Sequence, residues 1–445
     1  MQLFQMKTGT SKITFSCLAI LCCIEFSAQT YTSYLTGSSN DLVTSPEGGI
    51  CLMGGASEDD EAMKWFLNRA NGGDVLILRT SGADGYNDYM WSTLGISLNS
   101  VETIVCHNAL ASQEPYITER INQAEAIWFA GGDQWDYISF WRNTPINSAI
   151  DQGVLQRNIV IGGTSAGMAI QGEYYFSAQN GTVSSATATS NPYAPTVTVD
   201  GTPFITQSIL QKTTTDTHFD NPNRKGRLIT FMARIYTDFG VQARAIACDE
   251  YTAVCIDENG IARVFGGYPS YDDNAYFVQT NCDLGNPAPE ICLPNNPLTW
   301  SSGGNALLVY QIKGNVSGSN FFDLNTWSVG SGGIWQSWSA SNGNFFEQNI
   351  ENPNCVGLVN AINKEVRIHV FPNPTNEKVI VEFERNGDEE VDIQVLDLMG
   401  HRINIRPVSV TENQFVLNLG DCASGVYTVN IQLQGNIFSS LILKD

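Results

Sequence analysis

Positively charged residues and histidine are scarce in this sequence. The 445 residues include 23 Lys and Arg against 45 Asp and Glu, which gives a formal net charge of −22. Because phosphate groups repel a protein of this sign, the composition argues against nucleic acid and anionic membrane surfaces as partners. With four histidines and no pair of cysteines at C-x-x-C spacing, the sequence predicts no metal site.

The sequence also lacks a run of apolar residues long enough to span a membrane. Its most apolar segment, Ile13–Ile24, is shorter than the ~20 residues that a transmembrane helix needs. Lys7 and Lys12 precede this segment and Phe26-Ser27-Ala28 follows it, an arrangement typical of a secretory signal peptide. We therefore expect residues 1–28 to be a cleaved signal and the mature protein to be exported through the periplasm.

Cysteine usage is consistent with export. Three of the eleven cysteines lie in the signal, and the even number that remains allows disulfides in an exported chain. Cys282 and Cys292 bracket a turn-rich stretch and are the pair that we predict. Cys248 and Cys255 flank an expected hairpin and are weaker candidates, because buried free cysteines are common in strands. Cys22-Cys23 leaves a lipoprotein anchor as an alternative, although the residues before it are not small.

Short apolar runs alternate with amphipathic stretches between residues 48 and 172. We predict buried strands at Ile50–Met53, Val75–Leu78, Glu102–Cys106, Ala126–Phe129 and Ile159–Ile161. A helix capped by Ser57 is expected after the first strand, ending at Gly72-Gly73. Strands alternating with helices predict an α/β fold, a doubly wound and mostly parallel sheet covered on both faces.

The composition changes after residue 172. Residues 181–202 are rich in Ser, Thr, Asn and Pro and are expected to form a long loop or insertion. Successive strands are predicted at residues 243–248, 252–256 and 261–265. Residues 297–348, dense in Trp and Gly, are interpreted as β additions to the core, with an aromatic sugar-binding surface as the alternative.

The C-terminal residues 366–445 form a separate unit, joined by a linker at 351–365. Apolar and polar residues alternate in five short runs with no helix between them, namely Val366–Val370, Lys378–Phe383, Val391–Leu396, Phe415–Leu419 and Val426–Leu433. This pattern predicts a small β-sandwich.

Motifs of this unit resemble a known export signal. Val370-Phe371-Pro372-Asn373-Pro374-Thr375 opens it, residues 395–400 and 424–427 follow, and Lys444 ends the pattern. In this order they resemble the C-terminal sorting domain of type IX secretion cargo from Bacteroidetes-type bacteria. The resemblance implies the type IX secretion machinery as a partner and a secreted or cell-surface location. A generic immunoglobulin-like accessory domain is the alternative.

The candidate nucleophile lies in a G-x-S-x-G motif. Residues 158–162 read as a buried strand that runs directly into Gly163-Thr164-Ser165-Ala166-Gly167, and a helix can follow. In this strand–turn–helix context the serine hydroxyl is exposed at the carboxyl end of the sheet. The flanking glycines are expected because a side chain there would collide with a neighbouring element. The N–H of Ala166 at the helix start can face an oxyanion.

Such a serine needs a base. Of the histidines in the mature chain, His369 and His401 lie in the C-terminal unit and His107 follows a strand well before the motif. His218, in a polar segment, therefore remains as the candidate base.

A second oxyanion donor is suggested by Gly131-Gly132, which follows the strand Ala126–Phe129. A glycine pair at a strand end lets backbone amides approach a substrate, so Gly132 is the candidate. A simple tight turn is an equally good interpretation.

Several segments together are similar to the cyanophycinase and dipeptidase E family of serine peptidases, peptidase family S51. They are Gly54-Gly55, Gly131–Gln134, Gly163–Gly167, Asp216–Leu228 and Asp249–Ala253. The similarity covers about residues 45–270 and implies the flavodoxin-like fold of class I glutamine amidotransferases within a peptidase domain at 29–350.

The resemblance also implies site residues and a substrate. Ser165 would be the nucleophile and His218 the base, and the residues lining the substrate pocket would be Gln134, Asp216, Arg224 and Arg227. Cyanophycinases hydrolyse cyanophycin, a poly-aspartate with arginine on each side-chain carboxylate, to β-Asp-Arg dipeptides. Two departures weaken the assignment of cyanophycin itself: Thr217 stands where that branch usually has Gln, and Pro222 where it has Arg.

The acidic residue that would orient His218 is not fixed by the sequence. Glu173 is the first candidate after Ser165, and Asp200 and Glu250 are further ones. We choose Glu173.

The sequence thus predicts an exported serine peptidase, without metal or organic cofactor, that acts on cyanophycin-like or aspartyl peptides. An aspartyl dipeptidase with no activity on the polymer is one alternative. Another is a catalytically silent binding protein on the same fold, which the intact Ser165 and His218 disfavour. An α/β-hydrolase esterase fits the G-x-S-x-G motif but lacks a suitable late histidine.

Overall fold

The computed structural model describes residues 29–351, 353, 369–382, 392–397, 402–405, 407–411, 414–433 and 436–444. The expected signal peptide, nearly all of the expected linker and the first residues of the C-terminal unit lie outside the described residues.

Eight α-helices are described, in chain order Asp60–Asn68 (α1), Gly85–Asp88 (α2), Pro115–Gln123 (α3), Gln134–Trp141 (α4), Pro145–Arg157 (α5), Ala166–Ala169 (α6), Ser185–Ser190 (α7) and Lys225–Phe239 (α8). A π-helical turn spans Tyr89–Thr93, and 3₁₀ turns span Ala109–Gln113, Ser208–Leu210 and Ser302–Gly304.

The strands before residue 351 are Tyr31–Gly37 (β1), Gly49–Met53 (β2), Asp74–Arg79 (β3), Ser100–Cys106 (β4), Ala126–Phe129 (β5), Val160–Thr164 (β6), Tyr175–Phe176 (β7), Val199–Asp200 (β8), Thr213–Asp216 (β9), Arg244–Cys248 (β10), Ala253–Asp257 (β11), Ile261–Phe265 (β12), Asn274–Thr280 (β13), Leu307–Lys313 (β14), Phe321–Asp323 (β15), Gly330–Ser331 (β16), Gly333–Ser341 (β17) and Asn344–Asn349 (β18).

A ten-stranded sheet with the order β1-β4-β3-β5-β6-β2-β11-β12-β15-β16 forms the centre. The five strands from β4 to β2 are parallel, and the others pair antiparallel. Alternate side chains of β2 enter two clusters: Ile50 and Leu52 pack with α3, α4 and α5, whereas Cys51 and Met53 pack with α1. Helices therefore cover both faces, and the predicted doubly wound α/β fold is confirmed.

The N-cap of helix α1 lies two residues after the residue that the sequence suggests. The residue at its N-cap is Asp59, with extended backbone angles, and its carboxylate accepts a hydrogen bond of 2.9 Å from the Ala62 N–H. The prediction that Ser57 caps the helix is therefore wrong. The carboxylate of Asp59 satisfies the exposed amides of the first turn in its place.

A second, six-stranded sheet has the order β18-β17-β14-β13-β10-β9, in which only β9 and β10 are parallel. On one face Ile246 and Phe277 share a hydrophobic cluster with the central sheet, and on the other Ala247 packs with Leu228 and Phe231 of α8. The three strands predicted at 243–265 thus divide between the sheets: β10 joins the second, and β11 and β12 extend the first.

The Trp-rich region belongs to these two sheets. Trp300, Trp327, Trp335 and Trp338 are all buried. Buried β packing is therefore the correct interpretation of this region, and the aromatic sugar-binding surface is not. The segment 181–202, expected as a loop, contains the short elements α7 and β8.

The predicted disulfide between Cys282 and Cys292 is wrong. Cys282 is disulfide-bonded, whereas Cys292 is a buried free thiol that packs in the cluster with Leu298 and Trp300. Cys248 and Cys255 are also free and buried. Apolar packing explains these three cysteines, as it does for most buried thiols.

The C-terminal unit is a sandwich of two four-stranded sheets. Its strands are His369–Phe371 (β19), Lys378–Glu382 (β20), Asp392–Leu396 (β21), Arg402–Ile403 (β22), Val408–Thr411 (β23), Gln414–Asn418 (β24), Gly425–Leu433 (β25) and Asn436–Lys444 (β26). The sheet orders are β19-β20-β24-β23 and β22-β21-β25-β26. Val379 and Leu417 of the first sheet share one hydrophobic cluster with Val429 and Ile442 of the second, which confirms the predicted β-sandwich. In the described part of the chain, no helix combines the length and the apolarity that a membrane crossing requires.

Candidate active site

Ser165 lies on a sharp turn between β6 and α6. Its backbone has φ +52° and ψ −115°, a region that non-glycine residues rarely occupy. A Cβ on Gly163 would lie 2.6 Å from the Gly167 carbonyl, and one on Gly167 would lie 2.1 Å from the Phe129 carbonyl oxygen. Both flanking glycines are therefore required for β6, α6 and β5 to approach each other. The N–H of Ser165 donates to the Met53 carbonyl at 3.1 Å, which ties the turn to β2.

His218 lies directly against the serine. Its Nε2 is 2.8 Å from Ser165 Oγ, and its Nδ1 is 2.6 Å from Glu250 Oε1. A neutral imidazole with its proton on Nδ1 donates to the carboxylate and leaves Nε2 free to accept the serine hydroxyl proton. His218 itself has φ +47°, and its N–H donates to the Gly54 carbonyl at 2.8 Å.

Glu250 reaches His218 from the loop between β10 and β11. Its second oxygen accepts from Asn221 Nδ2 at 3.2 Å, and its N–H donates to Asp220 Oδ1 at 2.9 Å. The hydrogen bond from His218, then that from Asn221 and the charge of Arg224, hold the pKa of Glu250 below its ordinary value. The carboxylate is therefore kept ionised and is fixed in place from two sides.

Glu173, the acid chosen from the sequence, does not contact His218. Its carboxylate accepts the N–H of Lys212, the residue just before β9. His218 follows the other end of that four-residue strand, so at about 3.3 Å per residue the two lie more than about 13 Å apart along β9. The acidic residue that contacts His218 is Glu250, one of the two alternatives to Glu173. Asp200, the other alternative, pairs with Arg142 at 2.6 Å.

Two backbone N–H groups, of Gly132 and Ala166, belong to turns next to Ser165. A Cβ on Gly131 would lie 3.6 Å from the Ser165 Cβ, so the turn after β5 is beside the serine. The next residue, Gly132, has φ +154°, which side-chain-bearing residues rarely adopt. Within the described residues the N–H groups of Gly132 and Ala166 donate no hydrogen bond. Both remain available as donors beside Ser165.

Gly55 has a role that the sequence did not reveal. A Cβ on this residue would lie 2.4 Å from His218 Nε2 and 2.5 Å from its Cε1, and its φ is +111°. Any other residue there would push the imidazole away from the serine. The sequence does show the Gly54-Gly55 pair at the end of β2, but it does not show why glycine is needed at these two positions. A Cβ on Gly54 would lie 1.9 Å from the Asp249 carbonyl oxygen.

The four residues expected to line a substrate pocket separate into two groups. Asp216 and Arg227 form a two-bond ion pair in which each is 3% exposed, and Asp216 also accepts the Thr217 N–H at 2.8 Å. This pair is buried and holds the segment before His218, and the contact of these two residues with substrate stays a prediction. Arg224 and Gln134 are less buried and bond to the backbone carbonyls of Thr217 (3.0 Å) and Phe176 (3.2 Å).

Two family models match separate parts of the chain. The model described as "Peptidase family S51" matches residues 83–264, which include Ser165, His218 and Glu250. This part of the chain is similar to peptidase family S51. The model described as "Secretion system C-terminal sorting domain" matches residues 369–444. The sorting domain indicates export to the cell surface or beyond it, as predicted.

Proteins similar to this part of the chain include named enzymes. A cyanophycinase from Synechococcus elongatus is 26% identical over 227 residues, and the match covers 49% of this chain. The chain spans 66% of that relative, just under two thirds of its length. A cyanophycinase from Geminocystis herdmanii (strain PCC 6308) is 23% identical over 241 residues, which cover 51% of this chain and 83% of the relative. A solved peptidase from an acI-B1 Actinobacterium is 15% identical with a TM-score of 0.39, covering 52% of this chain and 91% of that one.

Proposed function

We propose that this protein is an exported serine peptidase. The observation that carries the proposal is the continuous hydrogen-bond chain from Ser165 Oγ through His218 to Glu250, with distances of 2.8 and 2.6 Å. A nucleophile, a base and an acid that orients the base are the parts that acyl transfer by serine requires.

The reaction proceeds in two stages. Ser165 Oγ attacks the peptide carbonyl carbon while its proton passes to His218 Nε2, and the ionised Glu250 stabilises the imidazolium. The N–H groups of Gly132 and Ala166 hold the oxyanion, and His218 then protonates the leaving amine. In the second stage water, deprotonated by His218, hydrolyses the acyl-enzyme. These steps use no metal or organic cofactor.

The proposed substrates are peptides with acidic residues in their backbone, cyanophycin-like β-Asp-Arg material first among them. The support is the similarity to cyanophycinases and the position of Arg224, which is close enough to lower the pKa of Glu250. We propose that Arg224 and Gln134 contact the substrate, because they border the site and are not held in a closed ion pair. Thr217 and Pro222 remain departures that favour short aspartyl peptides over the polymer.

The proposal also assigns a separate role to each domain of the chain. Residues 29–350 would carry the chemistry, and residues 366–445, after the linker at 351–365, would be recognised by the type IX secretion machinery. Removal of residues 1–28 would precede export. The match of residues 369–444 to the sorting domain supports this arrangement.

Replacement of the nucleophile tests the proposal. With purified mature protein, we expect Ser165→Ala to reduce hydrolysis of cyanophycin or of β- and α-aspartyl dipeptides by at least about 10³-fold, because the remaining site can only bind and polarise the substrate. The matched control is Ser208→Ala, a change at an exposed serine in a 3₁₀ turn, which should leave turnover unchanged. Undiminished turnover in Ser165→Ala would contradict the proposal. Cleavage of dipeptides without release from the polymer would identify an aspartyl dipeptidase.

A further inference from the structure

A small cavity lies where β10 begins and β13 ends, in the second sheet. Its volume is about 70 Å³, and its lining includes Arg244, Gln279, Thr280 and Trp327. Because one water molecule needs about 10–15 Å³ of such volume, the cavity fits a group of roughly four or five heavy atoms. Arg244 is the only charged residue of the lining.

The guanidinium of Arg244 packs on an aromatic ring without an anionic partner. Its Cζ lies 4.8 Å from the ring centroid of Trp327. In the described part of the chain, the guanidinium has no hydrogen-bond or ion-pair partner. Burial lowers the pKa of Arg244, because the charged form loses water and no acidic group offsets this loss. The positive charge is therefore desolvated and not neutralised.

Other arginines that stack on aromatic rings in this protein are paired with acids. Arg69 lies over the Trp65 ring at 4.2 Å and is 3.8 Å from the carboxylate of Glu47. Arg234 also lies over an aromatic ring and is 2.7 Å from Asp238. The arginine in the cavity differs from both, and an anion from outside the chain would supply the partner that it lacks.

Thr280 supplies a second donor to the same cavity. It is 8% exposed, and its hydroxyl has no hydrogen-bond partner within the described residues. A buried hydroxyl without a partner is unfavourable, so the site is incomplete as it stands. The neighbouring Gln279 is directly opposite Arg244 in the ladder, and its Nε2 donates to the Trp327 carbonyl at 2.6 Å. This bond fixes the tryptophan on which the guanidinium packs.

The cavity is separate from the proposed catalytic site. Arg244 begins β10, whereas Glu250 follows the other end of this five-residue strand. At about 3.3 Å per residue, the two lie at least about 13 Å apart along β10. A ligand of the cavity would therefore not contact Ser165 or His218.

We propose that this cavity binds a small oxyanion, a carboxylate or phosphate group, between the guanidinium of Arg244 and the hydroxyl of Thr280. A planar guanidinium presents parallel N–H donors that match two oxygens of such a group, and the threonine can donate to a further lone pair. Bound there, the anion neutralises the buried charge and stabilises the folded protein. The proposal does not depend on the peptidase function.

The test is isothermal titration calorimetry of the full mature protein with inorganic phosphate and with acetate, each replacing chloride at constant ionic strength. We expect saturable binding of at least one of them. Arg244→Gln should weaken this binding at least about tenfold, because the charge-assisted hydrogen bonds are lost. The matched control is Arg69→Gln, which removes a ring-stacked arginine that already has Glu47 as its partner. It should change the affinity by no more than about twofold.

A second variant leaves the guanidinium in place. Thr280→Val keeps the shape of the side chain without its hydroxyl and should weaken binding about threefold or more, since one neutral hydrogen bond is lost. Thermal unfolding verifies that each variant is folded. Binding of phosphate alone would identify the ligand as a tetrahedral anion, and binding of acetate would identify it as a carboxylate.

Three results would overturn the proposal. They are no saturable binding of either anion, an affinity that Arg244→Gln leaves unchanged, and binding that is lost in Arg224→Gln but kept in Arg244→Gln. The last result would place the anion at the proposed catalytic site. Since none of these measurements uses hydrolysis, failure of the anion site would leave the proposed peptidase function unaffected.

Discussion

Ser165 and His218 are both held in backbone conformations that non-glycine residues avoid, with φ of +52° and +47°. Each costs of order 1–3 kcal/mol and persists only because its surroundings fix it. The anchors are backbone carbonyls at the end of β2: Met53 accepts from the Ser165 N–H and Gly54 from the His218 N–H. One strand end therefore positions both members of the proposed nucleophile–base pair.

Glu250 is the residue whose role differs most from the sequence interpretation, and it gives a direct prediction. Glu250→Gln should lower kcat/KM by about 10³-fold or more, because the amide cannot stabilise the imidazolium and favours the wrong tautomer. Glu173→Gln should change kcat/KM by no more than about twofold, since Glu173 bonds to the Lys212 amide far from His218.

Both glutamate variants conserve shape, and thermal unfolding verifies that each is folded. A large loss in Glu173→Gln together with near-normal kcat/KM in Glu250→Gln would show that the hydrogen bond between Glu250 and His218 has no catalytic part.

At the scale of elements, the parallel strands and the turn after β6 could be predicted because their signals are local. Apolar runs bounded by glycine mark β2, β3, β5 and β6, and the G-x-S-x-G motif marks the elbow. The pairing of β10 with β9 and β13 could not be predicted, because a short apolar strand is equally compatible with either sheet. Glu173 was chosen by its proximity in the sequence, whereas the strand β9 places it and His218 at opposite ends.

Asp249 lies between β10 and β11 and leads to a prediction about how the stability of the protein depends on pH. It follows β10, is 2% exposed, accepts from Asn274 Nδ2 of β13 at 2.9 Å, and has a second oxygen without a partner in the described residues. Burial raises its pKa from 3.8 to about 7, with Asp220 adding to the effect and Lys225 opposing it. The folded protein therefore holds a proton on Asp249 that the unfolded chain releases near pH 4.

The sign follows from proton uptake on folding. The contribution of Asp249 to the free energy of unfolding falls by on the order of 3 kcal/mol as pH rises from about 4 to about 7. Above that range it is constant. Asp249→Asn removes the ionisation, so we expect its stability relative to the wild type to improve by about this amount between pH 4.5 and pH 8. Urea unfolding at the two pH values measures it, and an unchanged difference between the two proteins would contradict the prediction.

At the scale of the whole molecule, the site is assembled from segments that are far apart in the chain. Ser165 and His218 are 53 residues apart and His218 and Glu250 are 32 apart. Ser165 could be predicted from a local motif, and His218 because histidines are few. The acidic residue beside His218 could not be predicted, because the chain contains many carboxylates. The sorting domain was recognisable because its motifs are local. Cys282 and Cys292 show the opposite case, since closeness in the sequence did not make them a pair.

The most direct measurement of the central claim is the site of covalent labelling in the full mature protein. A fluorophosphonate reacts with an activated serine, and mass spectrometry of the digested protein locates the adduct. The account predicts a single adduct on Ser165 in the wild type, formed at least about 10²-fold more slowly in His218→Ala because the base is lost. An unlabelled wild type, or an adduct on another serine, would contradict it.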